Sequence, residues 1–352
     1  MIMSDSVVSI LPQEQAGDVS PAAFLGEHPN VLRVEQFPSS ETSEVFKVTL
    51  KTFERVVLKF FKKEQEYLTE SRALQSLSEN PFVIQPSGCF QWGSWYGIAM
   101  ENAEGGDCFD ALNEQFLVLS HKLVAQTGST GRETIRKYIQ KMVAQFFDPV
   151  VRAIGSLHQR NISHSDFKWE NFVVHGDETI RLIDFAYSRP IWDHFGRKIV
   201  HTEAQGTPLY ISPHMVEEDG HGGYTWSYHA DICDVWSAGI MLFMLLFGCG
   251  PFPTFEMKVH AFVENCQPDT MLTAHIMFDF YQSDPLYILV SSGNTEAFWE
   301  QFVLAKKGNL NVWPSDVPVM LRRFLEECLS GRFKDTLTME RWWSEVRNDF
   351  CV

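Results

Sequence analysis

The sequence predicts an α+β fold in two lobes, a small β-rich lobe followed by a larger helical one. Three observations carry that expectation. Residues from about 30 to 100 fall mostly into short runs rich in β-branched and aromatic side chains. Beyond Glu104-Gly105-Gly106 the runs lengthen and take helical spacing. The 352 residues, at roughly 150 per domain, suffice for two domains or one large two-lobed one. A content of 45% hydrophobic and 21% charged residues is that of a packed globular chain, not a disordered one.

Residues 1–29 are turn-rich, with Pro12, Gly17, Pro21, Gly26 and Pro29, and read as an N-terminal extension. The first eleven have neither a basic region nor a long apolar core, so they do not form a secretory signal. The small lobe with its connector takes residues 30–103. Strands are expected at 31–37, 45–49, 55–61 and 95–100. One helix interrupts them at 64–77, where Leu68, Leu74 and Leu77 share a face, and Asn80-Pro81 stops it. The larger lobe takes residues 104–348. Helices are expected at 109–119 and 135–157, and short strands at 172–174 and 180–183. The apolar run 235–252 imitates a membrane span. Ser237, three glycines and Pro251 inside it, with Asp231 and Asp234 just ahead, mark a buried core helix instead. Residues 252–312 are helical with Pro, Asn and Gly punctuation that sets no clear boundaries.

Twenty-nine Lys and Arg against 45 Asp and Glu leave a net charge of −16. Such a chain repels phosphate backbones and anionic lipid, which argues against nucleic acid and polybasic membrane binding. Seven cysteines without a Cys-x-x-Cys pair or framework spacing point to free thiols in a reducing, cytoplasmic compartment. His221, His229 and Cys233 share a stretch, but at no familiar zinc spacing.

Three clusters carry chemistry. The first is His164-Ser165-Asp166-Phe167-Lys168-Trp169-Glu170-Asn171. The second is Asp184-Phe185-Ala186, behind the apolar Leu182-Ile183. The third is Gly206-Thr207-Pro208-Leu209-Tyr210-Ile211-Ser212-Pro213, followed by Asp234-Val235-Trp236-Ser237-Ala238-Gly239. In this order, with Lys59 upstream in Val56-Val57-Leu58-Lys59, they resemble the eukaryotic protein kinase superfamily, serine/threonine type. The resemblance covers residues 30–348 and implies a two-lobed kinase fold that transfers the γ-phosphate of ATP, with Mg²⁺, to a hydroxyl of a protein or peptide.

Phosphoryl transfer asks the protein for charge neutralisation and positioning more than for covalent work. By resemblance, Asp166 is the base that accepts the substrate hydroxyl proton, and Lys168 reaches the same phosphate. Asn171 and Asp184 supply oxygens for Mg²⁺, a cation that prefers oxygen ligands. Lys59 cradles the α- and β-phosphates, and Glu70 is its partner because Leu74 and Leu77 then follow at the family's offsets; Glu66 would put Glu70 at a buried leucine position. Met100 guards the back pocket, and main-chain groups of Glu101 and Ala103 meet the adenine edge. Asp107 either contacts the ribose or a basic substrate side chain, or caps a helix. Ser40, Ser43 and Val45 fall on the nucleotide-covering loop and the strand after it. Asp234 holds the backbone of the catalytic loop, Thr207 forms a trio with Asp166 and Lys168, and His164, Phe185 and Leu74 belong to a hydrophobic column.

The chain departs from the family in four places. Its nucleotide-covering loop, Phe37-Pro38-Ser39-Ser40-Glu41-Thr42-Ser43-Glu44, has no glycine, although glycine lets backbone approach phosphate closely. A glutamate facing a phosphate at about 6 Å, at an effective dielectric near 20, costs on the order of 3 kcal/mol, so ATP affinity below the family norm is expected. Ala186 replaces the glycine after Asp-Phe and biases that segment toward one conformer. Ser165 replaces an arginine, and Glu203 stands where the family accepts phosphate, so activation-segment phosphorylation there is not expected to control the protein. His214 replaces a glutamate and Thr336 the arginine that would pair with it. Losing one member of a buried ion pair costs about 3–5 kcal/mol, whereas losing both is nearly neutral.

The leading reading is an active serine/threonine kinase whose acidic mouth, through Asp107 and Glu170, favours basic peptides. A pseudokinase scaffold with the same fold is its rival. A small-molecule phosphotransferase is the third reading; such enzymes usually lack the Gly-Thr-x-x-Tyr-x-x-Pro segment and the Asp-x-Trp-Ser-x-Gly helix.

Overall fold

The computed structural model describes residues 20–38, 43–124, 129–176, 178–265, 272–306, 310–333 and 335–350. The chain divides into two compact units, one of residues 1–106 with 173–188 and one of 107–172 with 189–352.

The first unit is built on a five-stranded antiparallel sheet in the order β1-β2-β3-β5-β4. Its strands are β1 (Val31–Gln36), β2 (Ser43–Leu50), β3 (Arg55–Phe61), β4 (Pro86–Trp92) and β5 (Trp95–Glu101). The expected strand at 55–61 has the observed bounds, and those at 31–37, 45–49 and 95–100 differ from theirs by one or two residues. β4 was not expected, because Pro86 and Gly88 oppose strand structure. It forms at the sheet edge, with a register shift between those two residues, where the missing N–H of a proline leaves no ladder bond unmade. Helix α1 (Pro21–Glu27), capped by the Ser20 hydroxyl, lies in the stretch read as an extension. Leu25 of α1 is fully buried with Phe46, Val48, Leu50, Leu58 and Phe60, and Phe24 stacks near Trp92. Helix α2 (Glu64–Ser76) follows β3 as expected. The hairpin of β6 (Phe172–Val174) and β7 (Ile180–Leu182) also belongs here, from Val173 on.

The second unit is helical. Helix α3 (Cys108–Val124) begins where expected. The stretch read as one helix at 135–157 is two, α4 (Ser129–Met142) and α5 (Asp148–His158), joined by a π-helical turn at Val143–Phe147. Pro149 is the reason: its ring nitrogen cannot donate, and the Asp148 N–H reaches back to the Val143 carbonyl, five residues away. Helix α6 (Ala230–Phe247) is apolar enough to cross a membrane, yet 89% of it is buried. It packs against α5, α11 (Val319–Leu329) and α12 (Thr336–Phe350). The punctuated region resolves into α7 (Pro253–Asn265), α8 (Ala274–Gln282), α9 (Pro285–Ser291) and α10 (Thr295–Ala305). Its organiser is Asp284, fully buried, whose two oxygens accept from Leu286 and Tyr287 N–H of α9 and from Thr254 and Phe255 N–H of α7. One carboxylate caps two helices.

Candidate active site

In the first unit, Lys59 sits on β3 opposite Val45 of β2. Its Nζ donates to Glu70 Oε2 at 2.7 Å and to Asp184 Oδ1 at 2.8 Å. Lys59 and Glu70 are 5% and 1% exposed. Such burial works against the lysine's charge, but the carboxylates of Glu70 and Asp184 outweigh it and hold the ammonium above its ordinary range. Burial pushes the Glu70 carboxyl up, with Asp184 adding to the effect and Lys59 opposing it. Glu66, the alternative partner, is half-buried and pairs with Lys63 instead.

Asp184 carries a φ of 64°, in the left-handed region that costs a non-glycine residue about 1 kcal/mol or more and persists where surroundings impose it. The side chain is 42% exposed. Ala186 is not among the positive-φ residues, so the alanine costs nothing in this conformation. Met100 is buried and pairs with Val57, while Glu101 ends β5 opposite Val56. Ala103 follows in the connector. Ser43 opens β2, opposite Phe61. Ser40 lies outside the described residues.

In the second unit, Asp166 is 4% exposed and heavily engaged. Its Oδ1 accepts from the Thr207 N–H at 2.7 Å and the Thr207 hydroxyl at 2.8 Å. Its Oδ2 meets Lys168 Nζ at 2.9 Å and Asn171 Nδ2 at 3.1 Å. Lys168 Nζ also donates to Thr207 Oγ1 at 2.6 Å, closing the expected trio. Asn171 Nδ2 donates to the Asp166 carbonyl at 2.8 Å. Gly206 stands beside this cluster at φ 96°, and a Cβ there would lie 2.8 Å from the Ser165 carbonyl oxygen, so only glycine fits. Asp234, fully buried, accepts from the His164 N–H at 3.0 Å, the Ser165 N–H at 2.8 Å and His158 Nε2 at 2.8 Å. Asp107 Oδ1 accepts from the Asp110 N–H, the helix-cap alternative.

Several contributors escaped the sequence reading. His158 links Asp234 to the Thr336 hydroxyl. Asn161 clamps the segment after Asp184-Phe185-Ala186 by accepting from the Ile191 and Trp192 N–H groups. Lys198 pairs with buried Asp231 at 2.6 Å. Arg189 lies 3.7 Å from Glu203 and donates to the Tyr228 hydroxyl, which donates to the Glu203 carbonyl. Only spacing of no known pattern marked these positions; an acid just ahead of an apolar run, as at Asp231, was the one available signal.

Taken each within its own unit, Asp184 offers a part-exposed carboxylate and Asn171, whose amide nitrogen is committed to Asp166, offers its amide oxygen, both atom types that suit a hard cation. Among the described residues no group of three His, Cys, Asp or Glu side chains is placed to hold a metal by itself.

Residues 35–344 match the model of the protein kinase domain. The chain is 27% identical over 210 residues to CBL-interacting serine/threonine-protein kinase 15 of Arabidopsis thaliana, covering 58% of this chain and 43% of that protein. It is 28% identical over 233 residues to CBL-interacting serine/threonine-protein kinase 26 of the same plant, covering 63% and 47%. With serine/threonine-protein kinase CHK1 of Saccharomyces cerevisiae it shares 31% over 205 residues, covering 56% and 34%. The matched region is thus under half the length of these curated relatives.

Proposed function

The chain belongs to the protein kinase family, and on that premise we propose that it is an active serine/threonine kinase using Mg²⁺ and ATP. The observation that carries this reading is the buried Asp166 carboxylate, held by Lys168, Thr207 and Asn171. Four polar groups fixed around one acid in a nearly dry loop answer a catalytic demand; an inert scaffold gains little from desolvating them.

Asp166 accepts the proton of the substrate hydroxyl, and Thr207 and Lys168 keep that carboxylate oriented. Lys168 also supplies positive charge for the transferred group. In the first unit Lys59, held charged by its two carboxylates, neutralises the nucleotide phosphates, and Glu70 keeps it from swinging away. Mg²⁺, held by Asp184 and Asn171, supplies the remaining charge neutralisation when bound. Met100, Glu101 and Ala103 receive the base, Asp107 the ribose or a basic side chain, and Ser40, Ser43 and Val45 cover the phosphates. Lys168 supports serine/threonine over tyrosine as acceptor, and Asp107 and Glu170, in a chain of charge −16, support a preference for basic peptides. The five free thiols among the described cysteines support a reducing, cytoplasmic setting.

Control without phosphorylation at residue 203 is part of the proposal. Glu203 already faces Arg189 through its carboxylate, as a phosphate would, and Tyr228 secures its carbonyl. Exhaustive phosphatase treatment should leave activity intact, and its loss would refute this point. The glycine-free loop favours the scaffold reading. One experiment separates the two: Mg²⁺-dependent transfer of labelled γ-phosphate to a peptide library. Transfer that disappears in Asp166→Asn, with folding unchanged, supports the enzyme; no transfer by the parent chain supports the scaffold.

A further inference from the structure

Glu101 does more than end a strand. Its Oε1 accepts from the Gln85 N–H at 2.8 Å and from Arg181 Nη1 at 2.5 Å, and its Oε2 lies 3.6 Å from His175 Nε2. Arg181 comes from β7, between buried Ile180 and Leu182, and its side chain is 17% exposed. A guanidinium among apolar strand residues costs desolvation unless a carboxylate meets it, and Glu101 is that carboxylate. Gln85 carries the grip further. Its side chain accepts from the Glu79 N–H and donates to the Asn80 and Val83 carbonyls, in the turn after α2. Main-chain bonds run alongside: Glu101 N–H to the Gln85 carbonyl, Gly105 N–H to the Val174 carbonyl, and Val174 N–H to the Gly106 carbonyl. The connector is therefore pinned at Glu101 by side chains and at Gly105 and Gly106 by β6, with residues 102–104 spanning between.

We propose that Arg181 is a positioning residue for the nucleotide base. By gripping the Glu101 carboxylate it fixes the peptide planes of 101–103, whose carbonyl and N–H are the groups offered to a purine edge. The inference rests on the nucleotide-binding reading above and deepens it: affinity for the base, as distinct from the phosphates, is set from β7.

The test is calorimetric titration of the full chain with adenosine and, separately, with Mg²⁺-pyrophosphate. Arg181→Met should weaken adenosine about tenfold, a change of about 1.4 kcal/mol, and leave pyrophosphate affinity unchanged. Arg181→Lys, which keeps the charge but not the fork, should fall between. In turnover, KM for ATP should rise by a similar factor at constant kcat. The double variant Glu101→Gln/Arg181→Met should bind adenosine no worse than Arg181→Met, because both act through one contact. Equal weakening of both ligands, or none with either Arg181 variant, overturns the inference alone. Failure of the parent chain to bind adenosine at all overturns the nucleotide reading, and this inference with it.

Discussion

Replacing Asp234 with asparagine keeps volume and shape while removing the charge at the point from which the catalytic loop hangs. Asp234 is fully buried and accepts three hydrogen bonds, two from backbone N–H groups and one from an imidazole. Asparagine has one side-chain oxygen. If the oxygen faces His164 and His158, the amide NH₂ faces the Ser165 N–H, and turning it over only moves the conflict. One buried donor is therefore left facing another donor, at about 1–3 kcal/mol. The surviving bonds lose charge assistance, at roughly another 1 kcal/mol. The sum is about 3 kcal/mol against a whole-protein stability of about 5–15 kcal/mol, so the variant folds.

Urea unfolding should show the loss as a lower midpoint at constant slope. Native-state hydrogen exchange should locate it, with the His164 and Ser165 amides exchanging about a hundredfold faster, which is about 2.7 kcal/mol of lost protection. Ser165 is held at φ 65°, left-handed for a non-glycine residue, and its N–H bond to Asp234 is part of what imposes that conformation. The loop should therefore relax there first, and phosphoryl transfer should fall by at least as much as the exchange data imply. A stability change below about 1 kcal/mol, with both amides still protected, would refute the reasoning.

Three further outcomes are expected. Asp284→Ala orphans four N–H groups at the starts of α7 and α9 and should cost about 2–4 kcal/mol, two caps at about 1–2 kcal/mol each, read by thermal melting; a loss under about 0.5 kcal/mol would count against the double cap. Leu25→Ala in α1 should cost about 2–5 kcal/mol, as for other fully buried leucines, and a neutral result in chemical denaturation would mean that α1 is no part of the sheet's core. Asp335 accepts from the N–H and hydroxyl of Thr338, which hold its carboxyl below the ordinary 3.8. A depressed folded value contributes stability above the unfolded pKa that is lost as pH falls through the folded one, so Asp335→Asn should flatten the acid limb of the stability profile below about pH 4; an unaltered acid limb argues against it.

What the sequence made legible were features with a period or a fixed chemical order. β3 is a short run rich in β-branched and aromatic residues and was placed to the residue. α2 was legible from its leucines and its Asn-Pro stop. The Asp166 trio was legible because the motifs holding its members resemble those of the kinase family. β4 was hidden because its proline and glycine are tolerated only at an edge, and the edge is a property of the assembled sheet. The π turn was hidden because the apolar spacing over 135–157 continues across Pro149, and the spacing alone does not register the missing N–H donor that widens the turn. The grip of Arg181 on Glu101, 80 residues apart, has no local signature at all. A lone arginine in an apolar strand signals that some carboxylate is coming but does not say which one.

The paired substitutions at 214 and 336 show how such a chain compensates. The His214 ring lies edge-on to Trp236 and against Gly331, where a Cβ at φ 66° would lie 1.8 Å from Nε2. With His214 in place of the glutamate and Thr336 in place of the arginine, neither position leaves a charge of its own stranded. Thr336 is not idle in its place. Its hydroxyl bonds His158 Nδ1, while the Asp234 carboxylate, which only accepts, takes the hydrogen bond from Nε2–H. Helix α12 is thereby joined to the backbone of the catalytic loop through three side chains, all of them buried. The residue at 336 thus departs from the family and still ties α12 to that loop by a buried bond, which stabilises the loop whatever chemistry it serves.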